Sequence, residues 1–187
     1  GSKQVCISSS RGMEFFDEVV LSCHSDQALR LLADPSPAEL GMLKAIPYTR
    51  NEVVLHYDIS LLPRLTRTWS SWNVRLGLDA EAAPALSYNM NILQGLRSKH
   101  TWCVTLNQTA LIDPAKVMGV YHYDHPLFSL AGMTAQKSLK QFNGSNSTWY
   151  CGAWLRNGFH EDGVYSALQV VNGLGNREVV CHERAAS

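Results

Sequence analysis

Residues 149–168 read WYCGAWLRNGFHEDGVYSAL and decide how the C-terminal part of the chain folds. An apolar run typical of a buried strand comes first, a polar stretch with glycines follows, and a helical pattern ends the segment. The charged residues 160–162 lie between Gly158 and Gly163, where the helix is predicted to begin. A helix N-terminus presents unpaired N–H groups and partial positive charge, which favour an anion or an electron-rich ring edge.

The N-terminal part of the chain also has α/β character. Residues 15–23 (FFDEVVLSC) end in an apolar run that predicts a strand buried on both faces, as in a parallel sheet. Ser25 or Asp26 is the predicted cap of a first helix. Ser36, followed by a proline and by Glu39, predicts a capping box at the start of a second helix.

The middle of the chain is rich in strand signals and poor in helix signals. Spacings of about 15 residues without strong helices between them predict an antiparallel or mixed sheet. Residues 114–123 predict a short helix followed by a strand, and residues 128–142 a mixed segment that is strand-like at 139–142. Four stretches combine aromatic and β-branched residues and are predicted strands: 53–57, 69–74, 85–90 and 102–107.

Composition narrows the class of protein. The 187 residues carry 16 Lys+Arg and 16 Asp+Glu, and this zero net charge argues against nucleic acid as the main partner. Apolar runs stay shorter than a membrane span needs, so no transmembrane segment is expected. Five widely spaced cysteines without a C-x-x-C pair predict free thiols in a cytoplasmic protein and no metal site of the usual spacing.

Seven short motifs occur in order along the chain: FFDEVVLSCH (15–24), SSWN (70–73), SYNMNILQ (87–94), VTLN (104–107), HPLF (125–128), CGAW (151–154) and GFHEDG (158–163). These motifs resemble those of flavin-dependent amine oxidases. The similar subgroup comprises FAD-binding amine-oxidase-like proteins related to the domain fused to plant cyclopropane fatty-acid synthases. The family's strand followed by G-x-G-x-x-G, which holds the FAD pyrophosphate, has no counterpart in this sequence.

The resemblance implies FAD as cofactor and a flavin-binding role for the turn before the last helix. His160, the candidate catalytic residue, or Glu161 could transfer a proton. A small-molecule or fatty-acyl substrate is implied, and the candidate substrate residues are Trp72, Asn73, Tyr88 and Asn91. The candidate cofactor-binding residues are Gly152, Ala153, Trp154, Gly158, Phe159, His160, Glu161, Asp162, Gly163 and Val164, and the N–H groups of the last two are expected to face the flavin.

The fold class implied is α+β, with a mixed or antiparallel substrate-domain-like sheet flanked by pieces of an FAD-binding α/β domain. The N-terminal Rossmann half of that domain is expected to be missing, so FAD binding by this piece alone should be weak or absent. The predicted organisation is part of the FAD domain at 3–34, the sheet region at 35–142, the final strand–turn–helix at 143–175 and a tail at 176–187.

Other interpretations of these patterns remain open. The cluster 160–162 also fits a capped helix start with solvated charges, and the aromatic strand residues also fit an ordinary core. His122 and His125 are expected to be structural or surface residues, since on a strand they face opposite sides. The whole chain is also compatible with a non-catalytic binding or assembly module that does not bind FAD alone and self-associates through an exposed docking surface.

Overall fold

The computed structural model describes residues 4–76 and 85–175, which form two compact units. Unit 1 combines the chain up to Tyr48 with the chain from Pro126 onward, and unit 2 is the continuous segment Thr49–His125. The predicted tail at 176–187, which contains Cys181, lies outside the described residues.

The elements occur in both units and are numbered along the chain. The strands are β1 (Val5–Ser9), β2 (Gly12–Phe16), β3 (Val19–Leu21), β4 (Tyr48–His56), β5 (Trp72–Arg75), β6 (Ala85–Asn89), β7 (Cys103–Leu106), β8 (Val117–Pro126) and β9 (Thr148–Tyr150). The α-helices are α1 (Ser25–Leu31), α2 (Pro37–Lys44), α3 (Met90–Gln94), α4 (Leu130–Phe142) and α5 (His160–Gly175). This architecture is α+β, as predicted from the sequence.

Unit 1 contains an antiparallel hairpin and a parallel strand pair. In the hairpin, β1 and β2 pair from Val5 opposite Phe16 to the turn before Gly12. In the parallel pair, β3 lies beside β9 with Val19 opposite Thr148. The single predicted strand at 15–23 is therefore wrong, because its first residues belong to the hairpin and its later ones to β3. The two pieces have different partner strands, so the chain bends between them.

Caps define the first two helices of unit 1. The capping box at α2 is confirmed: the Ser36 N–H donates to Glu39 Oε2 at 2.8 Å, and the Glu39 N–H donates to Ser36 Oγ at 3.3 Å. The predicted caps of α1, Ser25 or Asp26, lie one and two residues too late. His24 is the cap, its N–H donates to Gln27 Oε1 at 3.2 Å, and Ser25 lies buried inside the first turn.

Helix α4 replaces the mixed, strand-like segment predicted at 128–142. Ser129 caps it by accepting a hydrogen bond from the Gly132 N–H at 3.0 Å. Leu139 packs with Met42 and Leu43 of α2 in the larger core cluster of unit 1. Tertiary packing thus fixes a helix where the local sequence signal is weak. Among the described residues, no helix combines the length and the apolar character needed to cross a membrane.

Unit 2 is built on a five-stranded sheet in the order β5-β6-β7-β4-β8. Four of these strands fall on the four predicted stretches, and the predicted short helix followed by a strand is a 3-10 turn at Pro114–Lys116 and then β8. The pairs β5–β6, β6–β7 and β7–β4 are all antiparallel, which agrees with the predicted antiparallel or mixed sheet. Directly opposed residues share a face of the sheet. One face is buried and carries polar residues together with Val54, Ala85 and Cys103, and the other is more apolar and partly exposed.

Candidate functional site

The strand–turn–helix segment of unit 1 has the predicted order: β9 ends at Tyr150, a turn follows, and α5 begins at His160. Two glycines are required in the turn. Gly158 has a φ of +89°, a left-handed conformation that disfavours side chains. A Cβ atom at Gly152 would lie 2.5 Å from Trp154 Nε1, so a larger residue there would displace the indole.

Asp162 holds this turn together. Its Oδ2 atom accepts hydrogen bonds from the N–H groups of Asn157 and Phe159, each at 3.1 Å. Its Oδ1 atom lies 3.5 Å from Nε of Arg156. The Asp162 side chain is buried, and three groups of the turn converge on it. In this structure Asp162 is a positioning residue for the turn.

The first turn of α5 leaves two N–H groups at its exposed end. The N–H groups of Asp162 and Gly163 both donate to the Phe159 carbonyl oxygen, at 3.0 and 3.3 Å. His160 and Glu161 precede them, have no intrahelical acceptor for their N–H groups, and carry exposed side chains. The N–H groups best placed to meet a ligand therefore belong to His160 and Glu161, whereas Gly163 already donates to the backbone.

The residues just after β9 have structural contacts. The Gly152 N–H donates to Ser166 Oγ at 2.8 Å, which ties the end of the strand to α5. Trp154 is buried, and its Nε1–H donates to the Cys23 carbonyl oxygen at 3.0 Å. Cys23 follows β3, so the indole links the carboxyl ends of the two parallel strands. Ala153 lies in the short 3-10 turn that carries Trp154.

Replacing Asp162 by alanine should destabilise unit 1 by about 2–3 kcal/mol, because two N–H groups lose their acceptor and Arg156 loses its carboxylate. Urea unfolding followed by tryptophan fluorescence measures this. The matched control is Glu161→Ala, which removes an exposed carboxylate from the same helical turn and should change stability by less than about 0.5 kcal/mol. Equal effects of the two variants would contradict the positioning role of Asp162.

The four candidate substrate residues of unit 2 divide between two faces of the sheet. Trp72 and Tyr88 are opposed across β5 and β6 on the more exposed face, with their rings edge to face at 5.7 Å. Asn73 is on the other face, where its Nδ2–H donates to the Ser70 carbonyl oxygen at 2.7 Å. Asn91 is outside the sheet, in α3.

Asn91 has a structural role in its loop. Its Nδ2–H donates to the His100 carbonyl oxygen at 2.9 Å, and its Oδ1 accepts from the Trp102 N–H at 2.8 Å. The amide thus fixes the chain that leads from α3 to β7. Of the four candidates, the structure brings only Trp72 and Tyr88 together as side chains that could meet an apolar molecule.

The buried face of the same sheet holds a hydrogen-bonded chain that the sequence analysis missed. The Asp58 N–H donates to His56 Nδ1 at 3.1 Å, so the imidazole proton is on Nε2, which donates to Thr105 Oγ1 at 2.8 Å. Thr105 Oγ1 is in turn 2.8 Å from Ser87 Oγ. Burial lowers the pKa of His56, and the nearby Asp58 carboxylate offsets this only in part. His56 is therefore neutral at pH 7.

Asp58 is a second buried polar residue without a clear sequence signal. It accepts hydrogen bonds from the N–H groups of Ser60 at 3.1 Å and Asp113 at 2.9 Å, and from Lys116 Nζ at 3.2 Å. Burial alone would raise the pKa of its carboxyl, but these donors outweigh burial and lower the pKa to about 2. The carboxylate thus joins two segments of unit 2, residues 58–60 and 113–116.

The two histidines of β8 lie at the surface and have polar neighbours. His125 Nδ1 lies 2.9 Å from Asn51 Nδ2, and His122 Nε2 lies 3.9 Å from a Glu52 carboxylate oxygen; both histidines are exposed. Within residues 4–76 and 85–175, no group of three His, Cys, Asp or Glu side chains could hold a metal ion. Cys103 and Cys151 are buried, and burial raises the pKa of both thiols.

The fold is similar to two solved structures. One is a protein from Exiguobacterium sp. 255-15 with the provisional name protoporphyrinogen oxidase, with a TM-score of 0.59 and 12% identity over 93% of this chain. The other is a fatty acid isomerase from P. acnes that produces CLA, with a TM-score of 0.55 and 13% identity over 91% of this chain. No protein-family model and no curated protein sequence matches the chain.

The chain spans 44% of the length of each of these two proteins. At such low identity the likeness shows a shared fold and does not transfer a substrate or an activity.

Proposed function

We propose that this chain is part of an FAD-dependent oxidoreductase of the amine oxidase superfamily, which transfers a hydride to or from a small or lipid-like substrate. The observation that carries the proposal is the parallel pair of β3 and β9, from which a glycine-containing turn leads directly to the start of α5. The fold likeness and the ordered sequence motifs support it. FAD, when bound, would supply the hydride acceptor or donor.

The start of α5 is the proposed contact for the flavin ring. His160 and Glu161 offer its first two N–H groups, and fixed dipoles of this kind stabilise negative charge on a reduced ring. Asp162 positions these groups through the turn. In this proposal Gly152, Ala153 and Trp154 support the loop, while the exposed residues Gly158 and Phe159 lie beside the ring.

The more exposed face of the unit 2 sheet is the proposed substrate surface. Trp72 and Tyr88 begin a row that continues across the sheet to Val104 and Leu55. Aromatic and aliphatic side chains on adjacent strands suit a small apolar molecule or a fatty-acyl chain. Asn73 and Asn91 support this surface from behind and beside it through their hydrogen bonds to the backbone.

Titration of the purified chain with lumiflavin, FAD and ADP tests the proposal. Absorption and flavin fluorescence should show weak binding of lumiflavin and FAD, with dissociation constants below about 1 mM. Calorimetry should show no ADP binding, because the chain lacks the G-x-G-x-x-G loop. His160→Pro removes one N–H at a helix position that tolerates proline. His160→Ala keeps that N–H and is the matched control.

Weaker lumiflavin binding by His160→Pro than by His160→Ala would support a contact through the backbone. Equal loss in both variants would instead assign the contact to the imidazole. Absence of flavin binding up to about 1 mM would favour the alternative function, a non-catalytic binding or assembly module that does not bind FAD alone.

One observation favours that alternative. The outward side of α5 carries the exposed side chains Val164, Leu168 and Val171 at helical spacing, an apolar stripe that self-association would cover. Sedimentation of the wild-type chain and of Leu168→Glu distinguishes a homo-oligomer built on this stripe from a monomer.

A further inference from the structure

A cleft of about 920 Å³ lies in unit 1 between α4 and α5. Trp149 and Tyr150 of β9 contribute to its lining, and the α5 residues that face it run from Tyr165 to Gly173. Tyr165 and Gly173 are eight positions apart, so the wall that α5 contributes to the cleft is about 12 Å long. Both volume and length suit a ligand of moderate size.

The cleft is separate from the two surfaces of the proposed function. None of the residues 158–164 at the start of α5 lines it, and neither does any described residue of unit 2. A ligand bound in the cleft would therefore leave the first N–H groups of α5 accessible.

The described residues that line the cleft carry two charges, both positive. Lys137 projects from α4, is exposed, and has no carboxylate within 4 Å among the described residues. Arg156 lies over the Tyr165 ring, with its guanidinium carbon 4.4 Å from the ring centre. Its Nε atom also lies 3.5 Å from Oδ1 of Asp162. No described carboxylate thus compensates the charge of the Lys137 ammonium, and an anion is favoured there.

Two amide side chains of the cleft wall have hydrogen-bond partners within the protein. Gln136 Nε2–H groups donate to the carbonyl oxygens of Trp154 at 2.7 Å and Arg156 at 3.0 Å. Asn143 accepts from the Tyr150 N–H at 2.8 Å and donates to the Tyr150 carbonyl oxygen at 3.2 Å. With these two amides paired, the larger part of the wall that an incoming molecule would meet is aromatic and aliphatic.

We infer that this cleft binds a monoanionic amphiphile, with its carboxylate head at Lys137 and Arg156 and its apolar body along Trp149, Tyr165 and Leu155. The positive side chains of Lys137 and Arg156 favour an anionic head group. Burial of the apolar part of the ligand against the wall stabilises the complex by roughly 25 cal/mol per Å² of apolar surface.

Displacement of the fluorescent aromatic anion 1-anilinonaphthalene-8-sulfonate from the native chain tests this site. The probe should bind with one-to-one stoichiometry and a sharp melting transition should persist, since unspecific binding to loosened protein would show neither. Decanoate should displace it at least about tenfold more effectively than decyltrimethylammonium, which has a similar tail and the opposite charge.

Variants locate the site. Lys137→Ala should weaken decanoate binding about tenfold, whereas Lys44→Ala, an exposed lysine on α2 outside the cleft, should leave it unchanged. Met133→Trp, which fills the cleft from α4, should abolish one-to-one probe binding.

Three results would overturn the inference. Equal displacement by decanoate and decyltrimethylammonium would contradict the preference for an anion. Equal effects of Lys137→Ala and Lys44→Ala would mean that the carboxylate does not bind at Lys137. A wild-type dimer that binds no probe and dissociates when Met133 is changed to glutamate would mean that a second copy of the chain covers the cleft. The flavin titration does not depend on any of these measurements, so the two proposals fail independently.

Discussion

Replacing Asp58 by alanine should destabilise unit 2 by about 3–4 kcal/mol, because a buried acceptor for two N–H groups and one ammonium disappears at once. Urea unfolding at pH 7 gives the change in the free energy of unfolding. Asp113→Ala is the matched control: Asp113 also lies near Lys116, at 3.6 Å, but its side chain is exposed and the expected cost is about 1 kcal/mol or less.

The pH dependence of this effect follows from the lowered pKa of Asp58. Unfolding returns the carboxyl to its ordinary pKa of 3.8 from a folded value of about 2, so the ionised form stabilises the folded chain. The contribution, about 2 kcal/mol, is complete above pH 4 and is lost as the pH falls toward 2. The difference between wild type and Asp58→Ala should narrow over that interval. A difference that stays constant from pH 5 to about pH 2 would contradict the assigned hydrogen bonds.

Replacing Gly173 by alanine should also destabilise the protein, by about 2–3 kcal/mol in unit 1. The added Cβ would lie 2.4 Å from two carbon atoms of the Trp149 ring. The ring has little freedom to move, because Gly144 also packs closely against it, with a Cβ there 2.5 Å from the nearest ring carbon, and its Nε1–H donates to Glu18 Oε2 at 2.8 Å. Thermal and urea unfolding measure the loss.

Gly41→Ala is the matched control for this prediction. Gly41 lies inside α2, and a Cβ there meets no atom within 4 Å. The substitution should stabilise the protein by about 0.5–1 kcal/mol, since alanine favours helix more than glycine does. A stabilising effect at both positions would mean that Trp149 has room to move.

The sequence predicts most of the elements that have strong local signals. The α2 cap is readable because Ser36 and Glu39 stand at the spacing a capping box needs. The antiparallel middle strands follow from their β-branched and aromatic composition. Helix α4 is not predicted because its local pattern is mixed, and its stability depends on Leu139 packing against α2, a contact that no local window contains.

For the candidate site, the sequence predicts the secondary structure better than it predicts what each side chain contacts. The segment 149–168 forms the strand, turn and helix expected, but the sequence does not reveal that the Asp162 carboxylate turns inward to the N–H groups of Asn157 and Phe159. For Asn73 the sequence does predict the contact: a buried amide in a strand needs hydrogen-bond partners, and its Nδ2–H donates to the Ser70 carbonyl oxygen. His56 has no sequence signal, because only three-dimensional pairing brings Thr105 to its ring.

The divided course of unit 1 has a consequence for the order of folding. The hydrogen bond between Trp149 and Glu18 joins residues 131 positions apart, whereas all of unit 2 is complete by His125. Folded unit 2 brings its own ends together, with Asn51 Nδ2 2.9 Å from His125 Nδ1. It thereby shortens the loop that β3 and β9 must close, and each halving of loop length saves roughly 0.6 kcal/mol. Unit 2 can therefore fold first during synthesis, and its folding reduces the entropy lost when the two separate parts of unit 1 pair.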